Sequence, residues 1–215
     1  MKIKILTRFL FIIFIFFLIS SFSLFGSFQE GYELYKQGKY YDAEMVLLRE
    51  KEISPNNVDI YAVLGWCYLN TGDYSKAIEI SEDGLKLNSR DTRLLTTIGR
   101  SYMEMKRYPD ALSYLQKSVS YNPNYAYSYY YIGRIYQSQG KLILAETALS
   151  AGIMLKKDNY LFYKYRAQVY EEMMNYKMAE KDYKRALTLK PNDPALKEAL
   201  IKVISKQTEL ESTYQ

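Results

Sequence analysis

Alanine returns every 34 residues along most of this chain, at Ala43, Ala77, Ala111, Ala145 and Ala179. Twelve positions before each stands a small residue: Gly31, Gly65, Gly99, Gly133 and Ala167. Three positions after those come Leu34, Tyr68, Tyr102, Tyr136 and Tyr170. Tyr40, Tyr74, Tyr108, Leu142 and Tyr176 hold a fourth column, and Pro55, Pro123 and Pro191 a fifth. A period of this length marks stacked repeats, in which no copy can bury its apolar face alone. The copies run 24–57, 58–91, 92–125, 126–159 and 160–193. Each reads as two antiparallel helices joined by a short turn, as in Asn70-Thr71-Gly72-Asp73. Gly38, Gly72 and Gly140 can take the left-handed conformation that ends a first helix. The Gly and Ala columns are small so that two backbones can approach, and the tyrosine column fills the space around that contact.

In period and in columns these copies resemble the tetratricopeptide repeat. The second copy carries Tyr61, Leu64, Gly65, Tyr68 and Ala77 at the family's hallmark spacing. The resemblance implies an all-α, right-handed superhelical solenoid of five helix-turn-helix repeats with a C-terminal capping helix. It also implies a scaffold or adaptor that holds a protein or peptide partner in its concave groove, and not an enzyme.

Both ends of the array read as caps. Glu30 and Glu50 stand where inner copies carry Leu64, Ile98, Ile132 and Gly84, Ser118, Gly152. After the fifth copy, Asp193-Pro194 reads as an N-cap followed by proline at the first helical position. Ala195, Leu196, Ala199, Leu200, Val203 and Ile204 are predicted to form one apolar stripe, with Lys197, Glu198, Lys202 and Lys206 in water. Arg166 falls in a Leu/Ile column and is expected to snorkel near the end of the array.

The first 23 residues are organised differently. Lys2, Lys4 and Arg8 precede an uninterrupted Phe/Leu/Ile run from Phe9 to Ile19, and Ser20, Ser21 and Ser23 follow. That is the layout of a secretory signal peptide, with cleavage expected after Ser23. The uncharged stretch from Phe9 to Gln29 is also long enough to serve as an uncleaved anchor. Either way the basic start stays cytoplasmic and the repeats are expected outside the cytoplasm, in the periplasm if the cell has one.

Composition narrows the function. Without Lys2, Lys4 and Arg8, the 29 basic residues fall to 26 against 24 acidic ones, so no nucleic-acid footprint is left. The chain has no histidine and a single cysteine, Cys67, which removes histidine triads, histidine-ligated metals and thiolate clusters. Cys67 reads as an inert buried thiol, and no cofactor or metal is expected.

In the family this chain resembles, first helices build the inner wall at four positions per copy. Carried over, these are Phe25, Phe28, Gln29 and Tyr32; Asp59, Ala62, Val63 and Trp66; Arg93, Thr96, Thr97 and Arg100; Tyr127, Tyr130, Tyr131 and Arg134; Leu161, Lys164, Tyr165 and Gln168. Tyr32, Trp66, Arg93, Arg100, Tyr127, Tyr130, Tyr131, Arg134 and Lys164 are the partner-binding candidates, since Tyr, Trp and Arg dominate hot spots. Arginine and lysine also suit carboxylates of a partner. The lysine and asparagine pattern of chaperone-tail clamps is missing, because Phe28, Tyr32, Val63 and Thr97 occupy its places and only Arg93 resembles it. A small molecule or lipid in a tyrosine-lined pocket is the rival reading.

Overall fold

The computed structural model describes residues 27–213, so the signal or anchor segment and Phe25 lie outside the described residues. Every regular element among them is an α-helix: α1 (Phe28–Lys36), α2 (Tyr40–Ile53), α3 (Val58–Thr71), α4 (Tyr74–Leu87), α5 (Thr92–Glu104), α6 (Tyr108–Tyr121), α7 (Ala126–Ser138), α8 (Leu142–Leu155), α9 (Tyr160–Glu172), α10 (Tyr176–Leu189) and α11 (Pro194–Thr213). The all-α class that the resemblance implies holds. The chain forms two compact parts, one up to Ser89 with α1–α4 and one from Arg90 on with α5–α11. Among the described residues no helix is long and apolar enough to cross a membrane.

The helix boundaries follow from local chemistry. Asn57, Asp73, Asp91, Asn159 and Asn175 each accept a backbone N–H of the helix they precede, satisfying donors that lack an intrahelical partner. Asp193 does the same for α11, accepting from Leu196 N at 3.2 Å. Each first helix stops at a left-handed residue. Gly72 supplies it in the second copy at φ 83°, but Lys106 at φ 60° and Met174 at φ 58° adopt it in the third and fifth.

Helices within a copy meet at the small columns. A Cβ on Gly31, Gly99 or Gly133 would lie 2.6 Å from Cγ of Leu47, Leu115 or Leu149 on the second helix. The leucine thus fills the place of the missing side chain, and the fully buried Ala43, Ala111 and Ala145 lie one turn before it. In the second copy the leucine position is Ser81, buried, whose hydroxyl has no partner among the described residues.

Successive copies in the second part are joined in two contrasting ways. Between the third and fourth, Thr96, Ser118 and Ser128 are buried and share hydrogen bonds of 3.1, 2.9 and 2.7 Å. One period later the same positions hold Tyr130, Gly152 and Phe162. There the Phe162 ring occupies the space that a Gly152 side chain would need, 5.1 Å from the Tyr130 ring.

Two expectations about the C-terminal end are corrected. Arg166 does not snorkel: its Nε and Nη2 donate to Asp182 at 2.7 and 2.9 Å, and Nη1 donates to Ser150 Oγ at 2.8 Å. Burial opposes the guanidinium charge, but the Asp182 carboxylate more than compensates and raises its pKa. On α11 the apolar stripe is narrower than predicted. Leu196 and Val203 are buried, whereas Ala195 and Ile204 are exposed, as is Ile201. Lys202 and Lys206 do not simply face water, since both pair with Glu171, at 3.1 and 3.0 Å.

Candidate functional site

In the second part, α5 lies against α7 and α7 against α9, while no comparable contact joins α6 to α8 or α8 to α10. First helices are therefore the closer-spaced row and line the inner side of this part. Seven of the nine predicted residues stand on that row; Tyr32 and Trp66 belong to the first part.

The row alternates cations and tyrosine rings. Arg100 sits 5.8 Å from the centre of the Tyr131 ring. Arg134 lies 4.7 Å from that of Tyr165 and 5.8 Å from that of Tyr130. Lys164 stands 5.9 Å from the other partner of Arg134, the ring of Tyr165. A ring face attracts a cation without neutralising it, so the charges are held in place and kept. Two carboxylates reach cations of this row, one at its end and one beside its central arginine. Asp91 takes Arg93 in two bonds of 3.2 and 2.6 Å, and Glu104 reaches Arg134 at 3.8 Å.

The tyrosines pack on one another. Tyr130 meets Tyr131 edge-on at 4.9 Å and Tyr165 at 5.4 Å, and Tyr127 lies 5.9 Å from Tyr125 and 6.0 Å from Phe162. Burial pushes the hydroxyls of Tyr125, Tyr130 and Tyr131 well above the ordinary tyrosine range, so they stay neutral. Burial likewise works against the charge on Arg134, but the facing Tyr130, Tyr165 and Glu104 raise its pKa overall. The result is a positive face on aromatic ground.

Five wall assignments are corrected. Tyr130 is only 5% exposed and belongs to the core shared by α7, α8, α9, α10 and α11, so packing does require it. Thr96 is the buried hydroxyl described above, Thr97 is buried with its hydroxyl on the Arg93 carbonyl, and Ala62 and Val63 are buried in α3. Thr96 meets Ser128 and Tyr130 meets the Phe162 ring, so in the second part the next copy closes over this column. Tyr165, a wall position not among the nine partner-binding candidates, underlies both Arg134 and Lys164, and Asp91 and Glu104 are further members of the site that the sequence reading does not name. Tyr165 shares its column with the chosen Tyr131, and that was the available signal.

In the first part Tyr32, Tyr35 and Trp66 form an aromatic run, with centroids 6.3 and 5.6 Å apart. Trp66 is half-buried there. Cys67, next to it, is fully buried, and burial, helped by Glu44, pushes its thiol up to about 12. A thiol so raised is a poor nucleophile.

Three family models match: anaphase-promoting complex (cyclosome) subunit 3 at residues 37–118, and tetratricopeptide repeat models at 114–147 and 160–193. The chain is 32% identical over 87 residues to BBSome complex member BBS4 of Bos taurus and 22% identical over 171 residues to protein bimA of Emericella nidulans. These alignments take in 40% and 78% of this chain but only 17% and 21% of those proteins, so it spans about a fifth of their length or less. The crystal structure of a thermophilic TPR protein from Thermus thermophilus superposes with a TM-score of 0.73 over 82% of this chain and 96% of that one. At 22% identity that likeness concerns the fold. Period, helix pairs, small columns and these matches agree: the chain is a helical solenoid that carries tetratricopeptide repeats.

Proposed function

We propose that this protein is an extracytoplasmic scaffold that holds an acidic segment of a protein partner along α5, α7 and α9. The observation that carries the reading is the row Arg100–Tyr131, Arg134–Tyr165 and Lys164, cations set against tyrosine rings along three adjoining helices, with Glu104 the one carboxylate among the described residues that reaches Arg134. Such a row offers charge to carboxylates and flat apolar area to the chain between them. Placement outside the cytoplasm is supported by the basic start, the apolar run from Phe9 to Ile19 and the serines behind it.

The test is capture from cross-linked cell envelopes with mass-spectrometric identification. Arg100→Ala with Arg134→Ala is expected to lose the partner, at about 2 kcal/mol or more for each true anchor. Tyr130 is left intact because it is core. Lys181→Ala with Lys184→Ala, exposed on α10, is expected to bind as the wild type does. Loss by the α10 variant with retention by the arginine variant would move the site to the second helices.

A further inference from the structure

The repeat does not end where the fifth copy ends. One period beyond Phe162, Ala167, Val169 and Tyr170 stand Leu196, Ile201, Val203 and Ile204, so α11 is in register as the first helix of a sixth copy. Leu196 and Val203 are buried, as Phe162 and Val169 are. Ile201 and Ile204 fall in the small column and the tyrosine column, the flank on which the third and fourth copies seat their second helix. On α11 that flank is open: Ile201 is 69% exposed and Ile204 40%. A repeat-type second helix does not fit there, because isoleucine occupies the very space that glycine clears for a leucine. A helix held off by large side chains, as in a coiled coil, does fit.

The flank has its own pattern. Lys197, Ile201, Ile204, Thr208 and Glu211 are all exposed and follow one another at steps of four, three, four and three, a single heptad stripe. It runs from a positive end to a negative end. We propose that this stripe pairs with the same stripe of a second copy of the chain, antiparallel about a two-fold axis between Ile201 and Ile204. Ile201 of each copy then meets Ile204 of the other, and Lys197 of each lies beside Thr208 and Glu211 of the other. A parallel pair would set Lys197 on Lys197 and Glu211 on Glu211, so charge selects the antiparallel arrangement. Lys202 and Lys206 lie off the stripe and share the single carboxylate of Glu171.

A single pair of helices about 30 Å long buries less than the roughly 1,600 Å² of a standard interface. The dimer is accordingly weak, and trapping is the proper readout. Full-length chain carrying both Lys197→Cys and Thr208→Cys, oxidised in cells, is expected to run largely as a disulfide-linked dimer. Each single cysteine variant is expected to stay monomeric, because the antiparallel arrangement keeps like positions apart. The parent chain, whose Cys67 is buried, is the background control. Adding Ile201→Lys and Ile204→Lys, both exposed positions, should abolish the dimer band, with a circular-dichroism melt showing the chain folded. The proposal is overturned if the double-cysteine chain gives no dimer, if the single variants link as strongly as the double, or if the two lysines leave the band unchanged.

Discussion

Arg166 stands in a column that holds Leu64, Ile98 and Ile132 in the inner copies, and Asp182 in one that holds Ile80, Tyr114 and Ala148 there. Each looks wrong alone, and together they form a pair whose side chains are 17% and 4% exposed. Comparing one column at a time exposes the oddity of Arg166 but not its remedy, because the compensating change lies sixteen residues away on another helix. Tyr130 is hidden for a related reason: its column holds Phe28, Ala62 and Thr96 in earlier copies, and its burial goes with Gly152 and Phe162 on other helices. Taking two charges out of water costs much of what their attraction returns, so breaking the pair is far worse than replacing it. Asp182→Ala or Arg166→Ile alone is expected to cost about 3–5 kcal/mol in urea unfolding. The double variant restores the fourth copy's Ile132 and Ala148 combination and is expected to fall within about 1 kcal/mol of the parent. Ser150 would keep its bond to Glu146, 2.7 Å away. Equal losses in single and double variants would show that the pair does not act as a unit.

At the scale of the helix, what one segment's own residues dictate was readable: the turn glycines Gly38, Gly72 and Gly140, the Asp193-Pro194 start, and the small columns that let helices approach. The seating of α11 was not, because it is set by what α9 and α10 present. Glu171 at the end of α9 receives Lys202 and Lys206 from α11 and, at 3.3 Å, the Tyr183 hydroxyl from α10. Burial raises the Glu171 pKa, but hydrogen bonds from Lys206 and Lys202 outweigh it, and the net shift is below the ordinary value of 4.5. A carboxyl with a depressed folded-state pKa contributes stability that is fully present above its unfolded value and is lost as pH falls through the folded one. Amide protection along α11 is therefore expected to hold at pH 6 and to drop below pH 4.5, ahead of α6 and α7. Glu171→Gln should show the weakened protection already at pH 6 and little further change. If the variant and the parent lose protection along the same pH curve, Glu171 is not what fastens α11.

Across the second part as a whole, stability is divided among interfaces between neighbours, and those interfaces are not alike. A 34-residue period shows that copies stack, but a shared period cannot say how two particular copies interlock. Thr96, Ser118 and Ser128 key the third copy to the fourth by hydroxyl contacts, and Tyr130, Gly152 and Phe162 key the fourth to the fifth by ring packing. In a stacked array each copy depends mainly on its neighbours, so damage at one interface should spread outward from it and not through the whole chain. Gly152→Leu tests this, because a side chain at that position occupies the space of the Phe162 ring. Overpacking of this kind costs roughly 1–3 kcal/mol. Hydrogen exchange is expected to rise in α9, α10 and α11, beyond the blocked interface, while α5 and α6 keep the protection they have in the parent. The row of cations would be cut between Arg134 on α7 and Tyr165 on α9, so partner capture should fall in the same variant although neither residue is changed. Uniform loss of protection from α5 to α11 would instead mean that the second part unfolds as one cooperative body and that its interfaces do not act separately.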